Sequence, residues 1–367
     1  MLWLLRPLIA PDNGDTVALV DPRQELIELF AARDAAHLVA APAPLPRLPL
    51  DRRQAALFCP RSRGVRFDEY TLSRRKPNLA VNRPFPEHPD GKWVVRTNRY
   101  GMREDENPAA EPPDLRVVVA GDSHVDGVCP NAESFPNQLE RLLGERRPEE
   151  TIEVLNVATG GWSFYNYVGA LERFLFLEPD VYVFTVYGGN DFGALALHHY
   201  HRGEPLLFTD TEEREALAEI ARGNAGRAQY WDQAAYFQSH PEEERAALEM
   251  AVDTTAEMLR IAREHGIRLI AVYLPPLPDV QADRYRQLIA PWMAGLELDE
   301  EALGAPSRLA DAWLAWCADH GVTTLDLRPA FTTADEPLYW RTDQHLDTAG
   351  HRVVAEALLP LLESSSD

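Results

Sequence analysis

From Pro113 onward the chain alternates short β-branched runs with stretches of helical periodicity, and this alternation constrains its fold more than any other feature. Leu115 to Ala120 (Leu-Arg-Val-Val-Val-Ala), Thr151 to Val157, Val181 to Val186, Ile267 to Leu274 and Val322 to Leu327 read as strands. Phe135 to Arg146, Tyr165 to Phe176, Glu242 to His265, Pro306 to His320 and Thr348 to Leu362 read as helices. Parallel strands need crossover helices, so this order predicts a three-layer α/β/α domain with a central parallel sheet. In such sheets chemistry gathers just beyond the carboxyl ends of the strands. No internal repeat is evident.

Ahead of Pro113 the texture differs. Ala41 to Pro49 and Arg83 to Pro86 are studded with prolines, which helices cannot run through. Loops and short strands are expected there, with strands over Val65 to Leu72 and Lys92 to Thr97 and one helix over Pro22 to His37. The cluster Asn107 to Pro113 reads as a boundary. It divides the chain into an irregular accessory region, residues 1–112, and an α/β domain, residues 113–367, with an insertion at about 192–241. Met1 to Ala10 is apolar but short and contains Arg6 and Pro7, unlike a signal peptide. It reads as a short strand or docking segment of a cytoplasmic protein.

Charge and cysteine usage narrow the function classes. The 367 residues carry a formal net charge of −22, which argues against nucleic acid and anionic membrane as partners, since both need a basic face. No run of eighteen apolar residues exists to span a bilayer. Cys59, Cys129 and Cys317 are too scattered for a disulfide framework or a zinc motif. Cys129, close to Ser123, reads as a buried small hydrophobe rather than a second nucleophile.

The strand ends hold the polar residues. The first gives Gly121-Asp122-Ser123-His124: a serine at a strand-to-helix turn can be exposed as a nucleophile, although Asp and Ser are also ordinary helix caps. It is not Gly-x-Ser-x-Gly, because Val125 stands two residues after Ser123. The second ends in Asn156-Val157-Ala158-Thr159-Gly160-Gly161-Trp162, where paired glycines allow a positive φ or close approach to a substrate. The third ends in Gly188-Gly189-Asn190-Asp191, which offers an amide side chain to the crevice or simply a turn. Near the C-terminus come Asp343-Gln344-His345, just before the last helix. Ser, Gly, Asn and Asp/His are thus expected at four consecutive strand ends.

In order and spacing these four blocks resemble the SGNH hydrolases, also called the GDSL esterase and lipase family. The resemblance covers about Leu115 to Leu362, and Arg96 to Arg103 also resembles an Asn-x-x-Gly-x-Arg stretch that precedes the domain in bacterial relatives. It implies a flavodoxin-like sheet, Ser123 as nucleophile, His345 as its base and Asp343 as the acid. The oxyanion hole would come from the backbone N–H groups of Ser123 and Gly161 and the side chain of Asn190; Gly161 matches the family's spacing from Asn156. Three departures stand out. His124 replaces a common leucine, Ala158 a common glycine, and Thr342 occupies the position of the acid in the usual Asp-x-x-His, so that Asp343-x-His345 must serve. Asp347 is better explained as the cap of the last helix.

The expected activity is hydrolysis of an acyl or acetyl ester through an acyl-enzyme, on a small-molecule or carbohydrate substrate, with no cofactor and no metal. Acyl transfer to a carbohydrate or other alcohol by the same triad is the alternative, and a fold-retaining but inactive binding protein the second. His124, Trp162 and Asp191 are expected to contact substrate. The cluster His198-His199-Tyr200-His201 lacks a carboxylate or cysteine at ligand spacing and reads as a substrate-facing segment rather than a metal site. Oligomeric state is not legible.

Overall fold

The computed structural model describes residues 64–68, 70–200, 225–285, 287, 290 and 295–363. The expected segments Met1 to Ala10, Pro22 to His37 and Ala41 to Pro49, together with His201 and the side chains of His198, His199 and Tyr200, lie outside the described residues. At the centre is a parallel sheet of five strands: β5 (Leu115–Ala120), β6 (Ile152–Asn156), β7 (Val181–Tyr187), β8 (Arg268–Leu274) and β9 (Thr323–Asp326). Their spatial order is β6-β5-β7-β8-β9. The chain steps outward from β5 to β6, then returns across β5 to β7. Right-handed crossovers therefore drop the intervening helices on opposite faces. Phe135–Arg146 packs with the last helix, Thr348–Glu363. Phe164–Phe174, Pro241–Glu264 and Glu300–Asp319 form a second group, which puts helices on both sides as expected.

β5 and β7 are almost wholly buried, as befits central strands covered on both faces. Their core is aromatic on one side. Trp313 meets the rings of Phe164, Phe184 and Phe192 edge-on, and its Nε1–H donates to Thr255 Oγ1 at 3.0 Å. Among the described residues, no helix is long and apolar enough to cross a membrane.

Three expectations change. Val65 to Leu72 is not one strand but a hairpin of β1 (Val65–Asp68) and β2 (Leu72–Arg75). Asp68 Oδ1 accepts the Tyr70 and Thr71 N–H groups, and Leu72 adopts φ +59°, so the chain turns where the sequence looked continuous. A second hairpin pairs β4 (Lys92–Arg96) with β3 (Ala80–Pro84), a proline-ended strand the sequence did not announce. The helix expected from Pro306 starts at Glu300, because Asp299 caps it by accepting the Ala302 N–H at 2.8 Å. Pro306 sits inside that helix, where its carbonyl accepts the Tyr273 hydroxyl at 3.2 Å.

The third change concerns the site. Ser123, Gly161 and Asn190 do follow β5, β6 and β7, but Asp343 and His345 do not follow a strand end. They lie in a loop between the short helix Arg328–Thr333 and the last helix, closed by a bridge between Tyr339 and Leu346.

Candidate active site

The loops after β5 and β7 flank the point where the sheet order reverses, the place where a crevice opens in this topology. After β5, Gly121 has no room for a side chain: a Cβ would lie 2.1 Å from Val125 Cγ2. The glycine lets the chain turn straight into the short helix Ser123–Asp126. Asp122 is its cap, Oδ1 accepting the His124 N–H at 2.8 Å, which leaves the half-buried Ser123 at the head of the helix free of the capping duty.

Ser123 Oγ stands 2.7 Å from His345 Nε2, and His345 Nδ1 bonds to Asp343 Oδ1. The loop reaches this geometry by a left-handed residue: Gln344 has φ +66°. That curl folds two side chains only two positions apart onto each other. A non-glycine residue there costs of order 1–3 kcal/mol and must be held by its surroundings. Gln344 N–H donates to Trp340 O at 2.9 Å, Trp340 N–H to His345 O at 2.8 Å, and Leu346 N–H to His124 Nδ1 at 3.3 Å. Asp347 caps the last helix, accepting the Gly350 N–H at 2.8 Å, and Thr342 carries no carboxylate. Asp343 is thus the carboxylate on His345.

The glycine loop passes beside the serine. A Cβ on Gly160 would sit 3.4 Å from Ser123 Cβ, and the exposed Gly161 has φ +86°, a conformation that favours glycine. Asn190 is nearly buried, its Oδ1 without a hydrogen bond.

The structure places the three expected substrate contacts beneath the site instead. His124 is fully buried, its ring 3.8 Å from that of Tyr187 and 4.7 Å from that of His345. Trp162 is buried and its Nε1–H donates to Ser73 O at 2.6 Å. Asp191 is buried, accepting the Tyr167 hydroxyl at 2.7 Å and the Tyr187 N–H at 2.9 Å. Burial holds its carboxyl well above the usual range, helped by the charge of Asp122. These side chains shape the loops from below; a sequence shows that a residue adjoins a site but not which way it points. Burial likewise pushes the Cys129 thiol far up, in keeping with a small core residue. Among the described residues, no group of three or more His, Cys, Asp and Glu side chains could hold a metal ion.

Sequence reasoning missed the contribution of the segment ahead of Pro113. The Arg75 guanidinium grips Asp126, with Nε–Oδ1 at 3.0 Å, and the Arg75 backbone N–H donates to Thr159 Oγ1 at 3.3 Å. One residue so holds both the turn of Ser123 and the glycine loop. The Asn-x-x-Gly-x-Arg stretch explains itself here. Asn98 Oδ1 accepts the Tyr100 and Met102 N–H groups, and Gly101, at φ +79°, lies where a Cβ would strike Arg75 O at 2.5 Å. Arg103 is delivered fully buried to Asn131 Oδ1 at 3.0 Å and Cys129 O at 2.8 Å, 3.7 Å from Asp126. The Asn-to-Arg spacing was the available signal.

Electrostatics favour a charged His345. Burial alone would lower its pKa, but the charge and hydrogen bond of Asp343, joined by Asp122 and Asp126, outweigh it and raise the pKa above the ordinary imidazole value. Burial lifts the Asp122 carboxyl to about 6, against the His124 N–H and the charge of His345.

The model of the GDSL-like Lipase/Acylhydrolase family matches residues 119–353. No curated protein matches the chain. Among solved structures it is similar to LAE5, an alpha/beta hydrolase enzyme from the metagenome of Lake Arreo, Spain, at 16% identity and TM-score 0.40 over 68% of this chain and 95% of that one. It is similar also to a catalytic mutant of Axe2, an acetylxylan esterase from Geobacillus stearothermophilus, at 12% identity and TM-score 0.43 over 70% and 98%. A member of the lipolytic protein G-D-S-L family from Veillonella parvula DSM 2008 follows at 12% identity and TM-score 0.38 over 68% and 100%.

Proposed function

Since the chain belongs to the GDSL-like lipase/acylhydrolase family, whose members hydrolyse esters, we propose that it works through an acyl-enzyme on Ser123. The reading rests on one observation: Ser123 Oγ, His345 and Asp343 form an unbroken hydrogen-bonded chain, with Oγ–Nε2 at 2.7 Å. Serine is a weak nucleophile until a base takes its proton. His345 Nε2 takes it as Oγ attacks the ester carbonyl, and Asp343 holds the Nδ1 proton so that Nε2 is the basic nitrogen. The carbonyl oxygen, now negative, accepts hydrogen bonds from the N–H groups of Ser123 and Gly161 and the Asn190 amide. Removing one donor of such a hole typically costs about 2.7–4 kcal/mol of transition-state stabilisation. The protonated His345 then gives its proton to the leaving alcohol, and water repeats the cycle on the acyl-enzyme. The substrate is a neutral acyl ester of a small molecule or carbohydrate.

A fluorophosphonate probe should modify the protein stoichiometrically, and peptide mass spectrometry should find the adduct on Ser123. A protein that stays unlabelled, or labelled elsewhere, removes Ser123 from this role. Turnover of an acetyl donor should proceed in water without an added alcohol. Dependence on an acceptor would make the enzyme a transferase instead.

A pH dependence follows. Only neutral His345 can accept the serine proton, and its pKa is raised, so the protonated form persists to higher pH than for a free imidazole. The kcat/KM for p-nitrophenyl acetate should therefore rise with pH through an apparent pKa above the ordinary value of about 6.5. An acid limb at or below that value would contradict the Asp343–His345 pairing.

A further inference from the structure

The second N-terminal hairpin touches the acid–base loop directly. Its turn, between β3 and β4, carries Phe85, Glu87 and His88. The Glu87 carboxylate accepts the Thr342 N–H at 2.9 and 3.1 Å through its two oxygens, and accepts the Thr342 hydroxyl as well. Thr342 immediately precedes Asp343. Phe85 packs edge-on against Trp340 with centroids 5.2 Å apart, and the His88 ring lies 6.1 Å from the same indole. His88 Nε2 meets Glu133 Oε2 at 3.0 Å, and that oxygen also accepts the Thr348 hydroxyl at 3.1 Å. One short turn thereby grips the loop before Asp343 at Trp340 and Thr342, and reaches past His345 to Thr348 through Glu133.

We infer that Glu87 is a positioning residue for the Asp343–His345 pair, fixing the acid–base loop against the hairpin so that Asp343 stays on His345 Nδ1. The inference rests on the triad proposed above. A loop that contains a left-handed Gln344 keeps that conformation only when its surroundings hold it. The backbone bonds of Trp340 close it on the side of His345, and Glu87 closes it on the side of Asp343. The charge at position 87 is used locally: a carboxylate offers two acceptors, and Thr342 presents an N–H and a hydroxyl to them. The largest charges raising His345 are Asp343 from its own loop and Asp122 and Asp126 from the turn of Ser123; the His124 ring lies 4.7 Å from it, and His351 on the last helix feels its charge. Glu87 reaches the pair through its bonds to Thr342, the residue before Asp343.

The test compares full-length wild type with Glu87→Ala, Glu87→Gln, Thr342→Val and Ser123→Ala, reading kcat, KM and the pH profile of p-nitrophenyl acetate hydrolysis. Glu87→Ala should lower kcat by about 10–100-fold, the scale of a small misplacement of catalytic groups, with KM almost unchanged. Its acid limb should move to lower pH, because a loosened Asp343 no longer raises His345. Glu87→Gln keeps an acceptor oxygen and should recover most of kcat. Thr342→Val, which deletes only the hydroxyl, should shift kcat and the limb in the same direction as Glu87→Ala. Wild-type kcat and limb in both Glu87→Ala and Thr342→Val overturn the assignment, as does a loss confined to KM or a loss of kcat with the limb unmoved. An active Ser123→Ala enzyme would instead bring down the triad itself; an inactive one beside an unperturbed Glu87→Ala brings down only the role of Glu87.

Discussion

Replacing Ser123 by alanine should lower kcat for p-nitrophenyl acetate and butyrate by about 10⁶-fold, the scale of losing the nucleophile of a Ser-His-Asp triad. The fold should survive. The cap of the short helix is Asp122, not Ser123, and the change deletes an oxygen without creating a buried unpaired charge. The residual rate would come from an intact oxyanion hole and substrate binding. Circular dichroism and thermal melting should match wild type. Activity within tenfold of wild type in that folded protein would be incompatible with an acyl-enzyme on Ser123.

Asp343→Asn should cost about 10⁴-fold in kcat, since an amide opposite Nδ1 favours the tautomer with its proton on Nε2, the wrong nitrogen for a base. It should also leave a second signature. Burial acts to lower the pKa of His345, and Asp343 is the largest influence raising it, so removing its charge lets burial prevail. The residual kcat/KM should keep its activity to lower pH than wild type. Steady-state assays from acid to neutral pH would check both effects. An Asp343→Asn enzyme with an unmoved limb would shift the acid role elsewhere, with Asp347 the first alternative to try.

The parts that were legible in the sequence are those set by local chemistry. β5, the helix Phe135–Arg146 and the strand-to-loop punctuation at Gly121, Gly160-Gly161 and Gly188-Gly189 follow from β-branched runs, period and glycine. Asp343 could be chosen over Thr342 because only one of them is a carboxylate. What escaped the sequence depends on direction or distance. Asp191 adjoins Asn190 but turns inward to Tyr167, and Trp162 turns down to Ser73. Pro306 looked like a helix start because proline favours the first turn, yet the earlier Asp299 caps the helix. Asp68 looked like part of a strand, although its carboxylate makes the turn that divides it. Glu87 meets Thr342 across 255 positions, and no local pattern announces such a pair.

Ser123 and His345 are 222 positions apart, with four of the five sheet strands lying wholly between β5 and the loop of Asp343 and His345 in a chain that must first bring them together. Closing so large a loop is an entropic burden that no local contact offsets, and parallel pairing of this kind forms slowly. Activity is accordingly a property of the completed fold. The loop of residues 340–347 combines buried Trp340, His345 and Leu346 with exposed Arg341 and is held from outside the sheet by a handful of long-range bonds, whereas β5 and β7 are at the centre of the sheet, and local opening is easier outside the core than within it. Heat or denaturant should find this closure first, so the enzyme would fall silent while its secondary structure is still in place.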